Sequence, residues 1–275
     1  MPSSNNARTW AARRLRGVAA RLEALDVSPT PPAAPRPREP MSYPEFVRRL
    51  KRQHAPDEAM RLAVGGSFSS VGVLEHSVLR DAGFGGSGVL LDVGCGSGRL
   101  SEALRDLPEL SYIGTDVVGD LLDHAAQVSG RPDWQFHLSD GRPLPVADGT
   151  ADWVCLFSVL THLTLEDGYE LLDECRRACR PGATIVASYL DFAVPDHWAA
   201  FVGGLGDGYA EQPRNQYHSS ATMRAWAEHL GLDVVSDRPG GFEVPALAPL
   251  VFDDGRAFET VAPFWQSLVV LRTRT

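Results

Sequence analysis

Nowhere in these 275 residues does an apolar run approach the roughly eighteen positions that a membrane-spanning helix requires. Basic excess is missing too. The 26 Lys and Arg stand against 35 Asp and Glu, and the formal charge of −9 argues against a general nucleic-acid binder, which draws on a positive surface. Cysteine is scarce: Cys95, Cys155, Cys175 and Cys179 form no C-x-x-C pair, and Cys175 with Cys179 on one helix face would supply only half of a tetrahedral metal site. We read all four as reduced and structural, with no metal-ligand cluster beside them. No apolar leader core is visible near the N-terminus, so a cytoplasmic address is expected. Ser158 lacks the G-x-S-x-G elbow of a serine hydrolase. What remains is a globular chain of ordinary composition, 44% hydrophobic and 22% charged, long enough for one main α/β domain with appendages. Small molecules are the expected partners, with no nucleic acid and no membrane.

The chain is organised around Val89-Leu90-Leu91-Asp92-Val93-Gly94-Cys95-Gly96-Ser97-Gly98-Arg99-Leu100. Its apolar run reads as a buried strand, and glycines at every second position then turn the chain into a helix. Residues without side chains let the backbone approach a ligand and leave amide N–H groups to point at it. The dinucleotide fingerprint G-x-G-x-x-G would need glycine at position 99, where this chain has Arg99. Downstream, Tyr112-Ile113-Gly114-Thr115-Asp116 reads as a strand ending in an acid, 20 residues after Gly96. That is the spacing at which nucleoside-binding α/β folds place a carboxylate on the ribose hydroxyls, although the same acid could cap the helix that starts near Gly119.

With Asp92 ahead of a G-x-G-x-G, the stretch resembles the first motif of the class I S-adenosylmethionine-dependent methyltransferases. The helix from Glu166 to Cys179, Arg180-Pro181-Gly182 and the strand Ala183 to Tyr189 resemble a later motif of the same family. The resemblance covers about Leu79 to Pro181 well and residues 1–40 not at all. It implies S-adenosylmethionine as cofactor and a doubly wound, mostly parallel, seven-stranded Rossmann-like α/β sheet with an antiparallel seventh strand and N-terminal helices. The cofactor-binding residues it implies are Asp92, Gly94, Cys95, Gly96, Gly98, Asp116, Val117, Asp140, Gly141 and Phe157. Asp140, at the end of the strand Trp134 to Leu138, would accept from the adenine amino group, and a backbone N–H such as that of Gly141 would serve a ring nitrogen.

Residues 7–26 carry Ala11, Leu15, Val18, Leu22 and Leu25 as a narrow seam between arginines. This amphipathic helix would dock on its own domain or form a homodimer; an anionic-surface anchor or a targeting peptide are lesser readings. Prolines 29, 31, 32, 35, 37 and 40 make an extended spacer, so we divide the chain into a helix and proline-rich linker over 1–40 and a methyltransferase domain over 41–275. Within the latter, 41–84 is an N-terminal helical segment and 190–219 an aromatic- and histidine-bearing cover insertion. Strands at Leu232 to Ser236 and Trp265 to Leu271 are separated by a long loop.

Family members that methylate planar amino nitrogens often carry Pro-Pro and an aromatic residue after the fourth strand. Phe157-Ser158-Val159-Leu160 stands there instead, which favours oxygen. The expected reaction is O-methylation of a small molecule, a secondary metabolite or sugar. N- or C-methylation, another reaction of the cofactor and a non-catalytic binding module are the alternatives. His162, just past the fourth strand, is the first candidate base, against the reading that it fixes a loop through a backbone carbonyl; His218 is the second. Phe68, Tyr189, His197 and Tyr217 are candidate substrate contacts, with core aromatics the competing reading for Phe68 and Tyr189.

Overall fold

The structure, a computed structural model, describes residues 41–205 and 212–275. The helix, proline spacer and homodimer contact expected over 1–40 lie outside the described residues. Helix α1 (Tyr43–Gln53) starts at a capping box: the Ser42 backbone N–H donates to Glu45 Oε2 at 3.1 Å. Helices α2 (Pro56–Ala63) and α3 (Phe68–Asp81) follow. By length and hydropathy Pro56–Asp81 is apolar enough to cross a membrane, a property that the count of consecutive apolar residues passed over. Here it is two helices, and Met60, Ala63, Leu74, Val78 and Leu79 are buried against the rest of the domain.

Strands and helices then alternate: β1 (Gly88–Val93), α4 (Arg99–Leu104), β2 (Leu110–Asp116), α5 (Gly119–Ser129), β3 (Gln135–Leu138), β4 (Ala151–Leu156), a 3-10 turn (Leu160–His162), α6 (Leu165–Ala178) and β5 (Cys179–Tyr189). After α7 (Pro195–Gly203) and α8 (Ser220–His229) come β6 (Leu232–Arg238), β7 (Phe242–Pro245), β8 (Leu250–Val251), β9 (Ala257–Phe258), β10 (Val261–Phe264) and β11 (Ser267–Thr273). The main sheet has seven strands in the order β3-β2-β1-β4-β5-β11-β6, and β11 runs antiparallel to both neighbours. This is the doubly wound architecture, with the reversal of strand order between β1 and β4.

One face of the sheet buries Leu171, Leu172 and Cys175 of α6 with Met223, Trp226 and Ala227 of α8. The other buries residues of α3 and α4 together with Val244, Leu250, Phe252 and Phe264. The latter come from the stretch expected as a loop, which forms two small antiparallel pairs, β7 with β10 and β8 with β9. Strands of two to four residues are too short for a period-2 pattern to stand out. Helix α8 is capped by Ser219, whose hydroxyl accepts from the Thr222 N–H at 3.0 Å. The four cysteines are free and buried, consistent with their reading as reduced.

Candidate active site

A cavity of about 1250 Å³ opens where β1, β2, β3 and β4 end, at the switch point of the sheet. The glycine-rich turn forms its floor. Gly94, Gly96 and Gly98 take φ values of 72°, 56° and 93°, all left-handed. Neighbours close in as well: a Cβ on Gly94 would lie 2.5 Å from Val159 Cγ2, and one on Gly98 only 2.5 Å from Ala125 Cα. Gly94, Cys95 and Gly96 line the cavity, but Gly98 does not. Its place among the cofactor contacts is corrected: Gly98 lets α4 and α5 approach each other beneath the turn.

The two acids of the strands divide the work. Asp92 is 3% exposed; its Oδ2 accepts from the Tyr112 hydroxyl at 2.5 Å and its Oδ1 from the Cys155 thiol at 3.3 Å. Burial pushes its carboxyl up to about 6, against the pull of those two hydrogen bonds. Asp92 therefore ties β1 to β2 and β4 while also lining the base of the cavity. Asp116 faces the cavity, its Oδ2 accepting from the Gly96 N–H at 3.0 Å and its Oδ1 from the Val118 N–H at 2.9 Å. Burial raises it to about 6 as well, partly opposed by backbone hydrogen bonds. Each oxygen keeps a second lone pair, the acceptor set that two vicinal hydroxyls require. Beside it Val117 lines the cavity while 47% exposed, an apolar plate that asks for a flat ligand.

At the end of β3, Asp140 and Gly141 line the cavity. Asp140 Oδ1 accepts from the Arg142 N–H at 3.1 Å, and the Gly141 N–H donates to Ser139 Oγ at 3.0 Å. That amide is thus spent on its own turn and does not supply the ring-nitrogen donor expected of it. Phe157, 6% exposed, lines the cavity and meets Phe264 edge-on.

The helical segment over 41–66 clasps the turn from outside. Ser97 Oγ donates to the Met60 carbonyl at 2.8 Å, Arg99 Nη1 donates to the Val64 carbonyl at 2.7 Å, and Arg99 Nη2 pairs with Glu75 at 2.5 Å. Arg99, which displaced the dinucleotide fingerprint, is a structural tie as well as a cavity residue. Glu75 is raised to about 7 by burial in spite of that arginine. Tyr43 also lines the cavity; its hydroxyl donates to the Ala63 carbonyl at 3.1 Å, and burial with the nearby Asp116 charge pushes its phenol well up. Sequence reasoning missed it because Tyr43 shares a helix with Phe46, Val47 and Leu50 and reads like core.

His162 stands on the 3-10 turn at the cavity wall, its ring 5.9 Å from that of Tyr43. The imidazole is open to the cavity, yet the walls around it strip enough solvation to lower its pKa, and a hydrogen bond to the Arg214 carbonyl only partly offsets this. The ring is neutral near pH 7, with one nitrogen committed to that carbonyl and the other left with a lone pair.

The remaining candidates fall outside the cavity lining and are corrected. His218 is 3% exposed, and its Nε2 donates to the Leu160 carbonyl at 2.8 Å. It is a loop-fixing histidine. His218→Ala should cost about 1–3 kcal/mol in urea unfolding, as a lost buried hydrogen bond does, while affinity for S-adenosylhomocysteine stays unchanged. His197 accepts from the Asp191 N–H and donates to the Trp265 carbonyl at 2.7 Å. Tyr189 is a core tyrosine whose hydroxyl donates to Asp237 Oδ1 at 2.7 Å, and Phe68 packs edge-on against His124. Tyr217 stacks on Phe192 with ring centroids 4.5 Å apart. Among the described residues of 190–219, Leu190, Ala200, Gly203, Gly204, Gln212, Pro213 and Asn215 line the cavity and its rings do not. Small residues there leave room that aromatics would fill.

The open parallel sheet, glycine turn and strand-end acids define an α/β domain that holds a nucleoside-bearing cofactor. The methyltransferase domain family matches residues 91–187. Two malonyl-[acyl-carrier protein] O-methyltransferases are similar over part of the chain. That of Xylella fastidiosa is 35% identical over 105 residues, 36% of this chain and 34% of that protein. That of Hahella chejuensis is 28% identical over 120 residues, 42% of each chain. The chain therefore matches only about a third to two fifths of the length of these relatives. Among solved structures, magnesium protoporphyrin IX methyltransferase from Synechocystis with bound S-adenosylhomocysteine shares the fold at a TM-score of 0.56 and 15% identity, over 84% of this chain and 96% of that one. A methyltransferase in complex with an activator from Haloferax volcanii does so at 0.58 and 20%, over 86% and 100%. Residues 91–187 thus match a methyltransferase domain, and the chain shares the fold of S-adenosylmethionine-dependent methyltransferases. The residues present fit that family's cofactor: Asp116 for the ribose, Val117, Asp140 and Phe157 around the base, and the glycine turn beneath.

Proposed function

We propose that this protein transfers the methyl group of S-adenosylmethionine to a hydroxyl oxygen of a small molecule, with His162 as general base. The observation that carries the reading is the position of the His162 imidazole at the cavity wall, its ring 5.9 Å from that of Tyr43. When bound, the cofactor supplies a methyl group on a sulfonium, and the C–S bond breaks with its electron pair passing to sulfur. The chain's own residues do the rest. Asp116 and the glycine turn hold the nucleoside, the segment over 41–66 and the wall from 190–204 keep bulk water out, and His162 takes the hydroxyl proton as the oxygen–carbon bond forms. The curated relatives are named for O-methylation, which supports oxygen as the acceptor atom.

The test is turnover with S-adenosylmethionine over a panel of hydroxylated compounds, followed by mass spectrometry and alkaline treatment of the product. An alkali-stable methyl ether is expected. His162→Ala should lower kcat about 100-fold or more, the usual worth of a positioned base, with S-adenosylhomocysteine affinity held within about twofold. Undiminished turnover would remove His162 as the base, and an alkali-labile ester would show that the oxygen arrives already ionised.

A further inference from the structure

The far side of the cavity contains a closed ring of hydrogen bonds. Ser158 N–H donates to Ser188 Oγ at 2.8 Å, Ser188 Oγ donates to Gln266 Oε1 at 2.6 Å, and Gln266 Nε2 donates to Ser158 Oγ at 2.9 Å. The three residues come from the ends of β4, β5 and β11, which lie side by side in the sheet. Asp116 and Asp140 end β2 and β3, on the other side of the switch between β1 and β4. With strands about 4.8 Å apart, the ring belongs to the half of the cavity that the nucleoside does not need.

The ring also fixes which way the glutamine amide points. Ser188 Oγ accepts from a backbone N–H and has two acceptors in reach, the Leu156 carbonyl at 3.5 Å and the glutamine oxygen at 2.6 Å; its proton goes to the nearer, and the amide nitrogen is left facing Ser158. Two hydrogens are then unspent among the described residues: the hydroxyl proton of Ser158 and the second proton on Gln266 Nε2. Both residues line the cavity. Ser158 has φ of 61°, one of only two non-glycine residues with positive φ among the described residues. Such backbone costs about 1–3 kcal/mol and persists only where the surroundings enforce it. Here Ser188 holds its N–H, and Thr161 Oγ1 donates to its carbonyl at 2.7 Å. The same turn carries His162, so two donors and the base share one wall. The ring itself contains no carboxylate, and Asp167, the acid nearest in sequence on the cavity lining, is paired with Arg142 at 2.9 Å.

We infer that Ser158 and Gln266 bind a carboxylate of the methyl acceptor, which makes the acceptor a hydroxy acid: its carboxylate rests on these two donors while its hydroxyl faces His162. This rests on the O-methyl transfer proposed above. A carboxylate offers lone pairs and no proton, which matches a pair of donors.

The test is titration calorimetry on the full chain saturated with S-adenosylhomocysteine, using 3-hydroxybenzoate and its neutral counterpart 3-hydroxybenzamide as probes. The wild type should prefer the acid, and Ser158→Ala and Gln266→Leu should each weaken the acid about tenfold, the worth of one hydrogen bond to a charged group. Gln266→Glu should reverse the preference, because a carboxylate would then face a carboxylate. His162→Ala should leave the preference for the acid over the amide intact, because both probes carry the same hydroxyl. Equal affinity for both probes, no saturable binding of the acid, or an unchanged preference in Gln266→Glu overturns the inference. So does a matching loss of S-adenosylhomocysteine affinity in the variants, which would mean that the ring holds the cofactor's own carboxylate. A wild-type chain that does not bind S-adenosylhomocysteine would instead defeat the methyltransferase reading.

Discussion

Asp116→Ala is expected to weaken S-adenosylhomocysteine binding about 100-fold by calorimetry, the sum of two hydrogen bonds to a charged acceptor at roughly 1.5 kcal/mol each. The variant also leaves the Gly96 and Val118 amides without their carboxylate, so the turn should loosen with it. Asp116→Asn keeps the shape and one acceptor oxygen and should fall between. Unchanged affinity in the alanine variant would refute the ribose role.

The pH dependence of the same site has a sign that separates binding from folding. Asp92 and Asp116 are raised to about 6 and Glu75 to about 7, in each case chiefly by burial. A carboxyl whose folded pKa exceeds its unfolded value contributes stability that is present below the unfolded pKa and lost as pH rises through the folded one. The cofactor-free protein should therefore gain stability from these groups between pH 7 and pH 5. Cofactor affinity should move the other way, falling as pH drops below about 6, because protonated Asp116 accepts fewer hydrogen bonds. Calorimetry and urea unfolding across this window should show opposite slopes; parallel slopes would mean that the three acids do not control both. Asp116→Asn should flatten the affinity profile.

Gly98→Ala is the second large effect, and it concerns folding. A Cβ there would stand 2.5 Å from Ala125 Cα and 2.7 Å from Ala125 Cβ on a backbone of φ 93°, so both strain and overlap with backbone oppose it. We expect a loss of about 3 kcal/mol or more in urea unfolding. Gly119→Ala is the control: nothing lies within 4 Å of its Cβ, and alanine at the start of α5 should be neutral or stabilising by up to about 1 kcal/mol. Equal behaviour of the two variants would refute the argument that Gly98 is a packing residue.

The amino-acid sequence by itself determined the sheet and the cradle, and the family resemblance of its motifs implied the cofactor. Short, mostly apolar runs such as Val89–Val93, bounded by glycines, read as strands, and Asp116 and Asp140 lie at or just beyond the ends of two such runs. Cofactor contacts follow the chain closely because the turn and the strand ends that make them are local. Only tertiary structure decided the other half of the cavity. Whether His162 or His218 faces it depends on where the fold places two separate loops, and nothing in their flanking residues ranks one above the other. Ser158, Ser188 and Gln266 meet across separations of up to 108 residues, with no periodicity to announce them. Tyr43 was passed over and Gly98 misplaced for the same reason: a residue's role is set by what the fold brings opposite it. Spacing along the chain records local geometry, but it carries no information about which residues the fold closes into one wall.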